Sequence, residues 1–108
     1  MASQQEVADI FSNMATKVDP DKVGGINAII QFDLSGENGG LYWIKINGGQ
    51  AETGAGATDN PNMTLKAAVD DWVAVYTGEL NAMTAFMNGK LKIQGDMGLA
   101  MKLQTIIG

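Results

Sequence analysis

The chain has no cysteine, no histidine and no arginine, and each absence closes a class of function. Without cysteine there is no disulfide, no thiol nucleophile and no thiolate metal site. Without histidine the commonest general base is missing, and with it the usual serine–histidine route to a nucleophile. The seven basic residues are all lysines and face twelve acids, for a net charge of −5. An acidic chain without bidentate guanidinium groups is a poor partner for nucleic acid. It is equally poor as a constitutive binder of anionic membranes, so any bilayer contact is expected to be transient. No apolar run approaches the roughly 18 residues of a membrane span. The start, Met1-Ala2-Ser3-Gln4, carries no charged and apolar leader, which makes the cytoplasm the expected compartment.

The chemical motifs that remain are weak. Asp19-Pro20-Asp21-Lys22-Val23-Gly24 echoes a calcium loop, but its twelfth position is Ile30 where a bidentate Glu is required. Gly54-Ala55-Gly56 is followed by Asp59 where a dinucleotide fingerprint needs its third glycine. Asn62-Met63-Thr64 is a formal glycosylation sequon with no leader before it. Asp70-Asp71 fits the first turn of a helix, where negative charge suits the dipole. The expectation is therefore no catalytic residue, no cofactor and no metal.

What is present is the patterning of one α+β domain over residues 1–108, with a 45% hydrophobic fraction. Ser3-Gln4-Gln5-Glu6 reads as a capping box for a helix carrying Val7, Ile10, Phe11, Met14 and Val18, ended by Asp19-Pro20-Asp21. Ile26, Ala28, Ile30, Phe32 and Leu34 alternate as one strand face, and Tyr42, Ile44 and Ile46 as a second. Asn47-Gly48 signals a tight hairpin into a Gly-rich third strand around 51–57. Met63 and Leu65 mark a short fourth strand. A helix with Val69, Trp72, Val73 and Tyr76 on one face stops at Gly78, and Asn81 caps a short helix with Met83, Phe86 and Met87. Hairpins with segregated helices predict a five-stranded, mostly antiparallel sheet covered by helices on one face. In this register Trp43 points opposite to Ile44, onto the outer face.

The most informative stretch is 89–104. Leu91 and Ile93 alternate with Lys90, Lys92 and Gln94 as a last strand, Gly95 allows a sharp corner, and Asp96 caps a last helix. Met97, Leu99, Ala100, Met101, Leu103, Ile106 and Ile107 then cover most of that helix, leaving few polar positions. A helix so apolar must bury both sides, cover a cavity or meet a partner. This stretch resembles the sterol carrier protein 2 family. The resemblance is carried by Thr77-Gly78, Leu80-Asn81, Ala85-Phe86, Gly89-Lys90-Leu91-Lys92-Ile93, Gly95, the run from Met97 to Leu103, and Gln104. It is strongest over 71–104 and continues in strand order back to about residue 7.

The resemblance implies a small carrier that shields a fatty acid, fatty acyl-CoA, sterol or phospholipid in an apolar tunnel. The missing histidine and cysteine make it an expected non-enzyme, and the end at Gly108 without a peroxisomal tripeptide makes a stand-alone prokaryotic-type member the expectation. The candidate walls are Phe11, Met14, Ile30, Phe32, Ile44, Trp72, Val75, Met83, Phe86, Met87, Leu91, Ile93, Met97, Leu99, Met101, Leu103 and Ile106. About half of Met83, Met87, Met97 and Met101 are expected to touch ligand, since flexible thioethers adapt to several apolar shapes. Core packing alone also accounts for Trp72. Lys92 and Lys102 are the candidate head-group contacts, with Lys90 read as a solvated strand edge. A monomer is expected. The alternative is an interaction module that docks on a lipid-metabolising enzyme, or pairs with a second copy through the last helix.

Overall fold

Ser3 opens the fold with its hydroxyl, which accepts from the Glu6 amide at 3.0 Å and holds the first turn of α1 (Gln4–Lys17). This is a computed structural model, and it describes residues 3–17, 21 and 24–107, with the side chains of all of these except Lys17 and residues 103–107. The helix end expected at Asp19-Pro20 and most of the calcium-loop pattern lie outside the described residues. Five strands follow the first helix: β1 (Ala28–Ser35), β2 (Gly40–Asn47), β3 (Gln50–Ala55), β4 (Met63–Ala68) and, later, β5 (Leu91–Gly95). Between β4 and β5 come α2 (Val69–Thr77) and α3 (Ala82–Met87), and α4 (Met97–Ile107) follows β5.

The strands form one sheet in the order β3-β2-β1-β4-β5. Three neighbouring pairs are antiparallel, and the central pair, β1 with β4, is parallel. The parallel pair arises because residues 56–62 carry the chain from one edge of the sheet back to its middle. Gln31 holds that crossing: its amide donates to the carbonyls of Tyr42 (2.7 Å) and Gly56 (3.1 Å), and its carbonyl accepts from the Thr58 amide at 2.7 Å. A buried amide with three partners is stable where an unpaired one is costly. The hairpin joining β2 to β3 turns at Gly48-Gly49, one residue later than Asn47-Gly48 suggests. Both glycines have positive φ (62° and 79°), as a primed turn demands, and Asn47 pairs with Gln50 inside the ladder.

Strand alternation sends one side of the sheet to the helices. Ala28, Ile30, Phe32 and Leu34 of β1, Ile44 and Ile46 of β2, and Met63, Leu65 and Ala67 of β4 are all buried there. Val7, Ile10, Phe11 and Met14 of α1 cover the β2–β3 half, while Val69 and Trp72 of α2 cover the β4 side. The centre is aromatic: the Phe11 ring stacks on Tyr42 at 4.4 Å and meets Phe32 edge-on at 5.0 Å, and Trp72 lies 5.0 Å from Phe32. Each such burial contributes about 1.5–3 kcal/mol. Among the described residues no helix lies on the opposite side. There Trp43 stands in register with Gln31 and Gly54, and a Cβ on Gly54 would collide with the indole, so the glycine is the seat for that ring. No helix of the described residues is long and apolar enough to cross a membrane.

Candidate apolar cavity

Two local devices aim the C-terminal half of the helical layer. Gly95 ends β5 at φ +101°, and a Cβ there would come within 2.5 Å of the Asn62 carbonyl oxygen, so only glycine allows this corner. The Asp96 carboxylate then accepts from the Leu99 amide at 3.1 Å and starts α4. Asn81 does the same for α3, accepting from the Thr84 amide at 3.1 Å, after Gly78 has closed α2 in the left-handed conformation at φ 86°. The result is that α2, α3 and α4 surround the β4–β5 end of the sheet without filling the space between them.

That space is a cavity of about 630 Å³. Its floor is Leu65, Leu91 and Ile93, brought to one side because Leu65 and Ile93 pair across β4 and β5. Trp72, Val75 and Tyr76 of α2 form one wall, and Gly78, Leu80 and Asn81 the next. Ala82, Met83 and Phe86 of α3 face Met97, Ala100 and Met101 of α4 across it. The opening is edged by side chains that remain wet: Met83 is 56% exposed, Phe86 38%, Met97 48% and Met101 75%. The polar atoms of the lining are few, and the Asn81 carbonyl oxygen is already used by its cap. The buried Trp72 Nε1 has no hydrogen-bond partner among the described residues. Apolar walls with little polar anchoring suit an aliphatic or alicyclic ligand held by burial. Among the described residues no group of three or more acids stands close enough to hold a metal.

Of the candidate wall residues, Trp72, Val75, Met83, Phe86, Leu91, Ile93, Met97 and Met101 are brought together here. Phe11, Met14, Ile30, Phe32 and Ile44 are not on this cavity. They are 0–3% exposed and fill the closed core between α1 and the sheet, where they touch one another. Met87 is 78% exposed and outside the lining. Leu99 turns into the core beside a second, smaller cavity of about 210 Å³, which Asn62, Asp96 and Lys102 also line. Lys102 therefore stands at a different opening from the apolar one. Lys92 points to the outer side of the sheet, paired in register with Lys66. The side chains of Leu103 and Ile106 lie outside the described residues. Leu65, Tyr76, Gly78, Leu80, Asn81, Ala82 and Ala100 are lining residues that the pattern reading left out. Ala100 had a signal, since it sits three positions after Met97 on the same helix face.

The chain matches the family model for the SCP-2 sterol transfer family over residues 8–108. It is 34% identical over 102 residues to hydroxysteroid dehydrogenase-like protein 2 of Bos taurus, covering 94% of this chain and 24% of that protein. The chain thus spans about a quarter of the length of the curated relatives it matches. Its fold superimposes on the palmitated SCP2L2 of Aedes aegypti with a TM-score of 0.74 at 22% identity, covering 99% of this chain and 95% of that one. It also superimposes on part of the sec-alkylsulfatase Pisa1 from Pseudomonas sp., with a TM-score of 0.76 at 20% identity, covering 91% of this chain and 15% of the sulfatase. At those identities the two structural likenesses are likenesses of fold.

Proposed function

The chain belongs to the SCP-2 sterol transfer family, and from that premise we propose that residues 1–108 form one non-catalytic lipid-binding and lipid-transfer domain. Its ligand lies in the cavity between α2, α3, β5 and α4. The observation that carries the proposal is the cavity itself: about 630 Å³, mostly apolar in its walls and open to solvent beside four exposed side chains. Fatty acids, fatty acyl-CoA, sterols and phospholipids all present the aliphatic or alicyclic body such walls accept. A sixteen-carbon chain leaving water gains about 0.8 kcal/mol per methylene, on the order of 10 kcal/mol before ordering costs. That supports micromolar binding without a strong polar contact, and it makes specificity broad. The missing histidine and cysteine argue against hydrolysis of the bound lipid.

Release follows from the same wall. Met83, Met97 and Met101 are flexible and partly solvated, so opening the mouth exposes little new surface. Mass spectrometry of gently purified protein, with a fluorescent fatty-acid titration, tests the proposal. Co-purifying lipid or saturable binding supports it, and the absence of both refutes it. The relatives' much greater length favours a second reading, in which such a domain docks on an enzyme or on a second copy. Sedimentation with and without lipid separates the two: a dimer that forms without ligand through α4 favours the module.

A further inference from the structure

We propose that Met83, Met97 and Met101, with Met87 beside them, form a peroxide-oxidisable site whose conversion to sulfoxides empties the cavity. The inference rests on the lipid-binding function proposed above. The chain has seven methionines; Met1 lies outside the described residues, and the structure sorts the other six sharply. Met14 and Met63 are each 1% exposed in the core. Met83, Met87, Met97 and Met101 are 56%, 78%, 48% and 75% exposed, on the two helices that edge the opening. Three of these four line the cavity, and Met87 does not. Three of the four accessible thioethers are therefore also the wall of the cavity, and no thiol in this chain competes for the oxidant.

The step is a two-electron oxygen transfer. A thioether sulfur attacks one oxygen of a peroxide, the O–O bond breaks and an S–O bond forms. The other oxygen leaves with a proton, as water from hydrogen peroxide or as an alcohol from a lipid hydroperoxide. The sulfur is oxidised to the sulfoxide and the peroxide is reduced. A sulfoxide is polar where the thioether was apolar. An alkyl chain laid over it must desolvate that dipole without offering it a hydrogen bond, which weakens binding by roughly tenfold for each sulfoxide covered. Oxidation in the core would unfold the protein instead. Because Met14 and Met63 are shielded, the opening responds first and the fold survives.

The test uses the full chain treated with dilute hydrogen peroxide, followed in parallel by peptide mass mapping, fluorescent fatty-acid titration and circular dichroism. The expected result is one added oxygen at Met83, Met87, Met97 and Met101 before Met14 and Met63. Affinity should fall at least about tenfold over the same interval, with the helical signal kept. A Met83→Leu/Met97→Leu/Met101→Leu variant is compared only with itself before and after treatment, and its affinity should not change. Three outcomes overturn the proposal: the opening oxidises while affinity holds, affinity falls only as Met14 and Met63 oxidise, or the leucine variant loses affinity equally. If untreated protein binds no fatty acid, the carrier function itself fails and this proposal falls with it. A second arm replaces hydrogen peroxide with a long-chain fatty-acid hydroperoxide. Oxidation of the lining methionines ahead of the more exposed Met87 assigns the peroxide to the bound lipid, and an order that follows exposure assigns it to solvent. Either order supports the site.

Discussion

Ala100→Trp should move stability and ligand affinity in opposite directions. Ala100 lies on α4 between Met97 and Met101, lines the cavity and already packs partly against the core. An indole directed into a space of about 630 Å³ has room to enter without displacing the floor residues Leu65 and Ile93. If it covers about 100 Å² of apolar surface, burial gains about 2.5 kcal/mol at about 25 cal/mol per Å². Imperfect fit takes back about 1–2 kcal/mol, leaving the apo protein roughly 1 kcal/mol more stable. In a domain of this size that raises the thermal midpoint by about 4 °C. The ligand meets the opposite effect. The indole takes roughly the room of four methylenes, and at about 0.8 kcal/mol each the bound chain loses about 3 kcal/mol, a factor of about a hundred in Kd. Differential scanning fluorimetry without ligand and a fluorescent fatty-acid titration read the two quantities. A fall in midpoint with affinity intact would refute the reasoning, since it would mean the cavity is neither fillable nor the binding site.

Three further substitutions probe the devices that hold the layers in place. Gln31→Leu removes three hydrogen bonds, two of them to the 56–62 crossing and one to Tyr42 of β2, and should cost about 2–4 kcal/mol by urea unfolding, with the Thr58 amide losing its protection from hydrogen exchange. Gly54→Val drives a side chain into the Trp43 ring, and a loss of about 1–3 kcal/mol with a changed Trp43 emission is expected. Asn81→Ala removes the cap of α3 at about 1 kcal/mol, and faster exchange at Thr84 than at the α2 amides should localise the effect.

The strands were legible because alternation is a local signal. Ile30, Phe32 and Leu34 announce β1 without knowledge of its partners, and the same parity puts Trp43 on the outer face, where it lies over Gly54. The parallel pairing of β1 with β4 had no such signal. It depends on a crossing tied down by Gln31, whose partner Thr58 is 27 residues away. The hairpin slipped by one residue because Asn47-Gly48 and Gly48-Gly49 both satisfy a tight turn, and two positive φ values favour the two glycines. The wall was harder for a physical reason. Phe32 and Phe86 are equally apolar in sequence, but one meets packed side chains and the other meets a void. Only the packing of three helices decides which. Leu65 joins the wall through its pairing with Ile93, a contact between segments 28 residues apart in the chain. Met87 shares a helix face with Met83 but stands at the last residue of α3, where it is 78% exposed and outside the lining.

The central claim is that an apolar chain lies against Trp72 in the cavity, and contact quenching tests it most directly. The protein has two tryptophans, and Trp43 sits on the far side of the sheet. In a Trp43→Phe variant all tryptophan emission comes from Trp72, which lines the cavity. Titration with a fatty acid brominated along its chain should quench that emission saturably, at the same Kd as a fluorescent fatty acid reports. Saturable fatty-acid binding with Trp72 emission unquenched would place the ligand elsewhere and contradict the claim.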